Sequence, residues 1–123
     1  MTAAELKYLI ALDKLYDGIH GVKLVDVARE LDVSKVSVHK AMEKLEETGH
    51  VARDPTGRVC VTELGNAAVR EALVSVYYLA DLLEHYCWMN ARDAYCEAVN
   101  AVCAVSDTAR KTVAKVLSEQ DKN

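Results

Sequence analysis

Apolar residues recur at helical spacing along most of this 123-residue chain. Within residues 23–49, a first helix carries the i, i+3, i+4, i+7 spacing of a single buried face at Leu24, Val27, Ala28 and Leu31. After a turn at Asp32 and Val33, Ser34 is placed to cap a second helix that ends near Gly49. Val33 is expected to fill the corner between the helices. The pattern predicts a helix-turn-helix.

The outward face of the second helix carries groups that suit DNA. Cations, hydroxyls and one small apolar side chain occupy its first turns, and such groups contact phosphates and base edges in a major groove. The candidate DNA-contacting residues are Ser34, Lys35, Val36, Ser37, His39 and Lys40. Glu43 and Glu47 do not suit a groove, but only the N-terminal turns of a recognition helix enter one. From these residues alone, an ordinary amphipathic helical hairpin is the alternative interpretation.

Residues 50–61 favour the DNA-binding interpretation because they predict a β-hairpin wing. Two short alternating runs surround Asp-Pro-Thr-Gly, in which proline fixes φ and glycine accepts a positive φ. Arg53 and Arg58 flank this turn and Thr56 lies in it, so all three are candidate phosphate contacts. A hairpin directly after a recognition helix predicts a winged helix.

The remaining apolar pattern predicts four helices, one before the helix-turn-helix and three after the wing. The first covers residues 3–16, and Thr62 caps a long one of about 25 residues, roughly 38 Å at 1.5 Å per residue. Asn90, with Asp93, and Ser106 are placed to cap the last two. Their apolar faces lack partners within the chain, which predicts a homodimer. The polar residues 118–123 are expected to fray.

The predicted fold is therefore mostly α with a small β-hairpin, a winged helix-turn-helix at residues 1–63 followed by a helical dimerisation domain at residues 64–123. With 15 basic and 19 acidic residues, the net charge of −4 is not the usual footprint of a nucleic-acid binder. Residues 35–58 hold only one more basic than acidic residue. Either the acids face away from DNA, or useful affinity needs a second subunit.

Other classes of protein are disfavoured by what the sequence lacks. No stretch approaches the roughly 18 apolar residues of a membrane span, and no signal peptide is apparent, which predicts a cytoplasmic protein. Four cysteines without a C-x-x-C pair are expected to be reduced, and mostly buried apolar thiols. Nothing resembles a catalytic constellation, so an enzyme is not expected.

The order of elements resembles the metal-dependent repressors of the diphtheria-toxin repressor and manganese-transport regulator family, in their short form without an SH3-like domain. The resemblance is carried by DVARELDVSKVSVHKAMEKLEETGHV, by VTELG at the junction of wing and helix, and by the closing SDTARKTVAKVL. It implies a homodimeric transcription regulator that binds a palindromic operator in double-stranded DNA, activated by a divalent transition metal such as iron, manganese or zinc.

The family's metal ligands are largely missing from the positions that correspond to them here. Those positions are Lys7, Tyr77, Asp81, Val99, Val102 and Cys103. Only Asp81 and Cys103 can ligate in the ordinary way, and two ligands do not make a tight site for a divalent ion. One hypothesis is that the Lys7 ammonium replaces the metal by pairing with Asp81. The rival hypothesis is a remodelled, softer metal or thiol-sensing site built from Cys103, Cys96, Asp81 and His85.

A DNA-binding regulator is thus the favoured function, and a winged helix that binds proteins and not DNA is the alternative. The cations Lys35, Lys40, Arg53 and Arg58 separate the two, because a protein-interaction module has no need of cations at groove and wing positions.

Overall fold

The computed structural model describes residues 1–121, which form six helices and two strands. In chain order these are α1 (Ala3–Leu15), α2 (Leu24–Leu31), α3 (Lys35–Glu47), β1 (Val51–Arg53), β2 (Val59–Val61), α4 (Glu63–His85), α5 (Ala91–Ala104) and α6 (Asp107–Asp121). Helix α6 includes the first four of the residues expected to fray, and residues 122 and 123 lie outside the described part.

The chain divides into two compact units, and the division falls within α4. We call Ala4–Val69 the winged-helix unit, and Met1–Ala3 with Arg70–Asn123 the helical unit. The mostly α fold with one hairpin is as the sequence predicted.

The core of the winged-helix unit is built from apolar side chains that helical spacing places on inward faces. Each such side chain, once fully buried, stabilises the fold by about 1.5–3 kcal/mol. Those less than 2% exposed are Leu9, Leu12, Val27, Val38, Met42, Leu45, Val59 and Val69.

The turn between α2 and α3 is closed by the backbone and not by an apolar side chain. Asp32 adopts the left-handed conformation with φ 53°, and the backbone N–H of Val33 donates to the carbonyl of Ala28 at 3.0 Å. The Val33 side chain is 37% exposed, so the expectation that it fills the corner was wrong. Ser34 caps α3 as predicted, since its Oγ accepts a hydrogen bond from the Ser37 N–H at 3.1 Å.

The wing is an antiparallel hairpin in which Val51 pairs with Val61 and Arg53 with Val59. The Gly57 N–H donates to the Asp54 carbonyl at 3.0 Å, and Gly57 has φ 84°. A tight turn followed by a left-handed glycine is a common hairpin connection. Val22 exchanges two backbone hydrogen bonds with Val59, which ties the hairpin to the segment before α2.

The junction between the wing and α4 depends on Thr62 and Gly65. The Thr62 hydroxyl donates to the Gly49 carbonyl at 2.6 Å and accepts from the Gly65 N–H at 3.3 Å, so Thr62 caps α4 as predicted. A Cβ at position 65 would collide with the His50 carbonyl oxygen, so only glycine fits there without a shift.

The helical unit buries mainly small side chains. Its core contains Ala72, Val76, Ala94, Ala98, Val102, Cys103 and Ala114. The predicted caps of α5 and α6 are confirmed, because Asn90 Oδ1 accepts from the Asp93 N–H at 2.9 Å and Ser106 Oγ accepts from the Ala109 N–H at 3.2 Å. Arg110 is buried and donates to the carbonyls of Val102 and Val105 where α5 ends. Among the described residues, no helix has the length and apolar character needed to cross a membrane.

Candidate nucleic-acid interface

The N-terminal half of α3 presents a row of exposed side chains. All six residues that the sequence singled out here are exposed, and Val36 is 63% exposed although it is apolar. They are Ser34, Lys35, Val36, Ser37, His39 and Lys40. Val38, Met42 and Leu45 are buried on the opposite face, which fixes the orientation of α3 within the unit.

The two serines of this row have different duties. The Ser34 hydroxyl accepts a hydrogen bond from the Ser37 N–H and donates one to Ser37 Oγ at 3.0 Å. Its proton and an acceptor lone pair are therefore both used within the helix cap. No hydrogen bond within residues 1–121 uses the Ser37 hydroxyl proton. Ser37 therefore has a free donor for an external acceptor, whereas Ser34 is mainly structural.

The lysines of α3 also differ. Lys44 Nζ lies 3.3 Å from Oε1 of Glu5, a buried residue of α1, so its charge is balanced within the unit. Lys35 and Lys40 form no ion pair with any of the described residues. The free positive charge of α3 is thus concentrated in its first two turns, the part of a recognition helix that enters a groove.

Arg53 does not present its full guanidinium group to solvent. Its Nε and Nη2 are shielded, and no group among residues 1–121 accepts a hydrogen bond from them. These two nitrogens form one edge of the planar guanidinium fork, the kind of edge that binds a phosphate with two parallel hydrogen bonds. Arg53 must change its side-chain conformation before that edge can contact DNA.

Asp54, which the sequence analysis treated only as part of the turn, organises the tip of the wing. Its Oδ1 accepts from the Thr56 hydroxyl at 2.6 Å, from the Thr56 N–H at 2.9 Å and from the Arg58 N–H at 3.0 Å. The hydrogen bond from the Thr56 hydroxyl, then those of the Arg58 and Thr56 N–H groups, lower the pKa of Asp54 below its ordinary value. The Thr56 hydroxyl proton is therefore engaged at the turn. Arg58 is half-buried.

Sequence reasoning missed Glu5 and Asp54 for different reasons. Glu5 lies 39 positions before its partner Lys44, so no local spacing signals the pair. Asp54 had a usable signal, because an aspartate two residues before a threonine in a turn commonly accepts its N–H.

The metal donors of the helical unit do not form a coordination set. No group of three or more His, Cys, Asp or Glu side chains able to hold a metal occurs among the described residues. Asp81 Oδ1 lies 3.0 Å from His85 Nε2 on an exposed face of α4, and Cys103 is buried. Tyr77 packs against Tyr95 with ring centroids 6.4 Å apart. These residues therefore do not fit a divalent ion held by several protein ligands.

The sequence matches no model of a known protein family, and no curated protein matches it. Solved structures do match. The manganese regulator SloR superposes with a TM-score of 0.73 at 20% identity, covering 96% of this chain and 55% of that one. The metal-dependent transcriptional regulator MtsR gives a TM-score of 0.74 at 22% identity, with 96% and 55% covered.

A hypothetical protein from Sulfolobus solfataricus has a TM-score of 0.63 and 18% identity, with 97% of this chain and 91% of that one covered. This chain thus spans about half the length of SloR and MtsR and most of the third protein. At these identities the comparisons show the fold. The structural resemblance to metal-dependent transcription regulators that the sequence predicted is confirmed at that level.

Proposed function

We propose that this protein is a transcription regulator that binds a palindromic operator in double-stranded DNA as a homodimer. The observation that carries the proposal is the exposed row at the start of α3, where Lys35 and Lys40 form no ion pair with any described residue. Lys35 and Lys40 supply charge for phosphates, and Ser37 supplies a free hydroxyl donor. Sequence-specific DNA binding combines charged groups that contact phosphates with neighbouring groups that reach base edges.

The wing supplies a second set of contacts. Asp54 holds the turn closed through three hydrogen bonds, so Arg53 and Arg58 are carried at the two ends of a fixed loop. From these positions Arg58 can reach a phosphate beside the groove, and Arg53 can do so once its side chain has changed conformation. Thr56 has a smaller part in our proposal, because its proton already serves Asp54.

Two copies are needed in this proposal because the DNA-binding surface of one copy carries little net positive charge. The chain is acidic overall, and Lys44 is neutralised by Glu5. Symmetric dimers place two recognition helices at half-sites about one helical turn, or 34–36 Å, apart. The exposed apolar side chains of the helical unit, among them Tyr78, Val113 and Val116, are suited to burial against a second copy.

Regulation of this protein by a metal is not supported by its donor set. SloR is described as a manganese regulator and MtsR as metal-dependent. Here Asp81 lies against His85, and neither belongs to a set of three ligands among the described residues. We therefore favour DNA binding without a metal, with a remodelled soft-metal or thiol site as the alternative.

A protein-interaction module is the second candidate function, and the acids of α3 favour it. Glu43, Glu46 and Glu47 are all exposed, and they repel phosphates if they approach DNA. The two candidates differ in what the cations of the first turns do, which the experiment addresses directly.

The test is selection of binding sites from random DNA duplexes with the purified 123-residue chain, in the presence of chelator and, separately, of manganous ion. We expect an inverted repeat in both conditions. Recovery of asymmetric single sites contradicts the dimeric operator, and recovery of no site favours the protein-interaction module.

The matched variants are Lys40→Glu and Lys111→Glu. Both reverse one exposed charge, but Lys111 belongs to α6 and not to the candidate interface. Binding to the selected duplex should be lost with Lys40→Glu and kept with Lys111→Glu. Equal loss in both variants would show a non-specific charge effect.

A further inference from the structure

The helical unit contains a groove of about 450 Å³ that the proposed function does not use. Its apolar lining comes from Leu79 and Leu83 of α4, Met89 of the following turn, and Ala101 of α5. The other two lining residues, Asp93 and Glu97, are both acidic. We propose that this groove binds a small organic cation, a molecule with an apolar body and one ammonium-like group.

The charge of the groove determines the class of ligand. Asp93 and Glu97 lie one turn apart on α5, and like charges at this spacing disfavour each other. No lysine or arginine lines the groove, and Glu97 forms no ion pair within residues 1–121. Asp93 accepts a hydrogen bond from Asn90 Nδ2 at 2.7 Å, but that partner is neutral. A cation placed between the carboxylates relieves this repulsion.

The size and the lining favour a small molecule. Binding sites for small organic ligands usually have volumes of about 300–1,000 Å³ and a mainly apolar lining with a few polar groups that orient the ligand. The groove has a volume in this range and two such polar groups. Its apolar residues accommodate the body of the ligand while the carboxylates hold the charged end.

Two exposed aromatic residues precede Met89 in the chain and suit the same class of ligand. Tyr86 is 76% and Trp88 is 90% exposed, and Trp88 has φ 60°, a conformation uncommon for a bulky residue. Aromatic faces attract organic cations. Trp88 is adjacent in sequence to the lining residue Met89, and its exposed indole is available for such a contact.

This inference is independent of DNA binding, so its test uses only the purified protein and three matched probes. 4-Phenylbutylamine is cationic at neutral pH, 4-phenylbutanol is neutral and 5-phenylpentanoate is anionic, and each carries its polar group on the same phenyl ring and four methylene groups. Affinities are measured by titration followed by two-dimensional NMR of the backbone amides. We expect the amine to bind most tightly and the carboxylate least, with shifts in α5 and in the last turns of α4.

Variants distinguish the contribution of the groove's charge to binding from that of its volume. Glu97→Gln should weaken binding of the amine by about two- to fivefold, the range expected for one exposed ion pair. It should leave the affinity for the alcohol unchanged. Glu84→Gln is the matched control, since Glu84 is exposed on α4 but does not line the groove. Ala101→Phe places a ring in the groove and should abolish binding of all three probes.

Three results of the probe titrations would overturn the proposal. They are equal affinities for the three probes, no binding of any probe by the folded protein, and equal effects of the Glu97 and Glu84 variants. Sedimentation of wild type and Ala101→Phe tests the alternative hypothesis that a second copy of the chain fills the groove. Self-association weakened by the added ring would assign the groove to the dimer and not to a cation.

Discussion

Lys40 and Lys44 lie on the same helix but have different surroundings, and this difference predicts different effects of mutation. Lys40 has no ion-pair partner among the described residues, whereas Lys44 pairs with Glu5. We expect Lys40→Ala and Arg58→Ala each to weaken DNA binding and to reduce the slope of log K against log salt by about one, the loss of one phosphate contact. The measurement is binding to the selected operator at several salt concentrations.

Lys44→Ala provides the control for this experiment. It removes the same charge from the same helix, but it should leave the salt slope unchanged and instead lower the stability of the winged-helix unit. If the three variants change the slope equally, the proposed division of charge on α3 is wrong.

Because of Asp17, we expect the loop between α1 and α2 to lose stability at acid pH. The backbone N–H of His20, then that of Ile19, donate to its carboxylate and lower its pKa from 3.8 to about 2. Because the folded pKa lies below the unfolded value, the stabilisation is present above about pH 4 and is lost as the pH falls toward 2. Asp17→Asn should flatten the pH dependence of unfolding in this window.

Asp13→Asn is the comparison for Asp17, since the Asp13 carboxylate accepts no hydrogen bond from the described residues. It should leave the pH dependence of wild type in place. An NMR titration of the carboxyl carbons then shows directly whether Asp17 remains ionised below pH 3.

At the scale of the elements, our proposal gives the two serines at the start of α3 different roles, a structural one for Ser34 and recognition of DNA for Ser37. Ser34→Ala removes the cap and should lower the free energy of unfolding by about 1 kcal/mol. Ser34→Asn keeps a side-chain acceptor and should retain most of the stabilisation that the cap provides. Ser37→Ala should change stability little and weaken operator binding. Urea unfolding and operator titration of the three variants measure both properties.

The outcome also decides whether Ser34 contacts DNA, as the sequence suggested. If Ser34→Asn is fully stable but binds the operator poorly, its hydroxyl has a role beyond the cap. If the affinity of Ser34→Asn matches wild type, recognition at this end of α3 belongs to Ser37 and its cationic neighbours.

Much of the element structure could be predicted from the sequence because its signals are local. Ser34, Asn90 and Ser106 each cap a helix through an N–H three residues later, a contact that spacing alone reveals. The pairing of Glu5 with Lys44 and the shielding of Arg53 depend on the tertiary structure and have no local signal. The Val33 side chain was misplaced because a left-handed Asp32 already closes the corner.

At the scale of the whole molecule, the question that our proposal raises is what would hold the chain in a DNA-binding form without a metal. The sequence suggests that the Lys7 ammonium replaces the ion beside Asp81, and this remains a prediction. Asp81 is 68% exposed and already has His85 at 3.0 Å. The loss expected from Lys7→Ala is therefore that of an exposed ion pair, about 0.2–1 kcal/mol, and not the larger cost of leaving a buried carboxylate without a partner.

Metal dependence gives the decisive measurement, because the two hypotheses predict opposite results. If no metal takes part, operator affinity is the same in chelator and in ferrous, manganous or zinc ion, and Lys7→Ala weakens it by up to about fivefold in every condition. If the site was remodelled, a stoichiometric transition metal survives desalting, and Asp81→Ala or Cys103→Ala abolishes both the metal and the DNA binding. Elemental analysis of freshly purified protein precedes the titrations, because a retained metal would exclude the first hypothesis before any DNA is added.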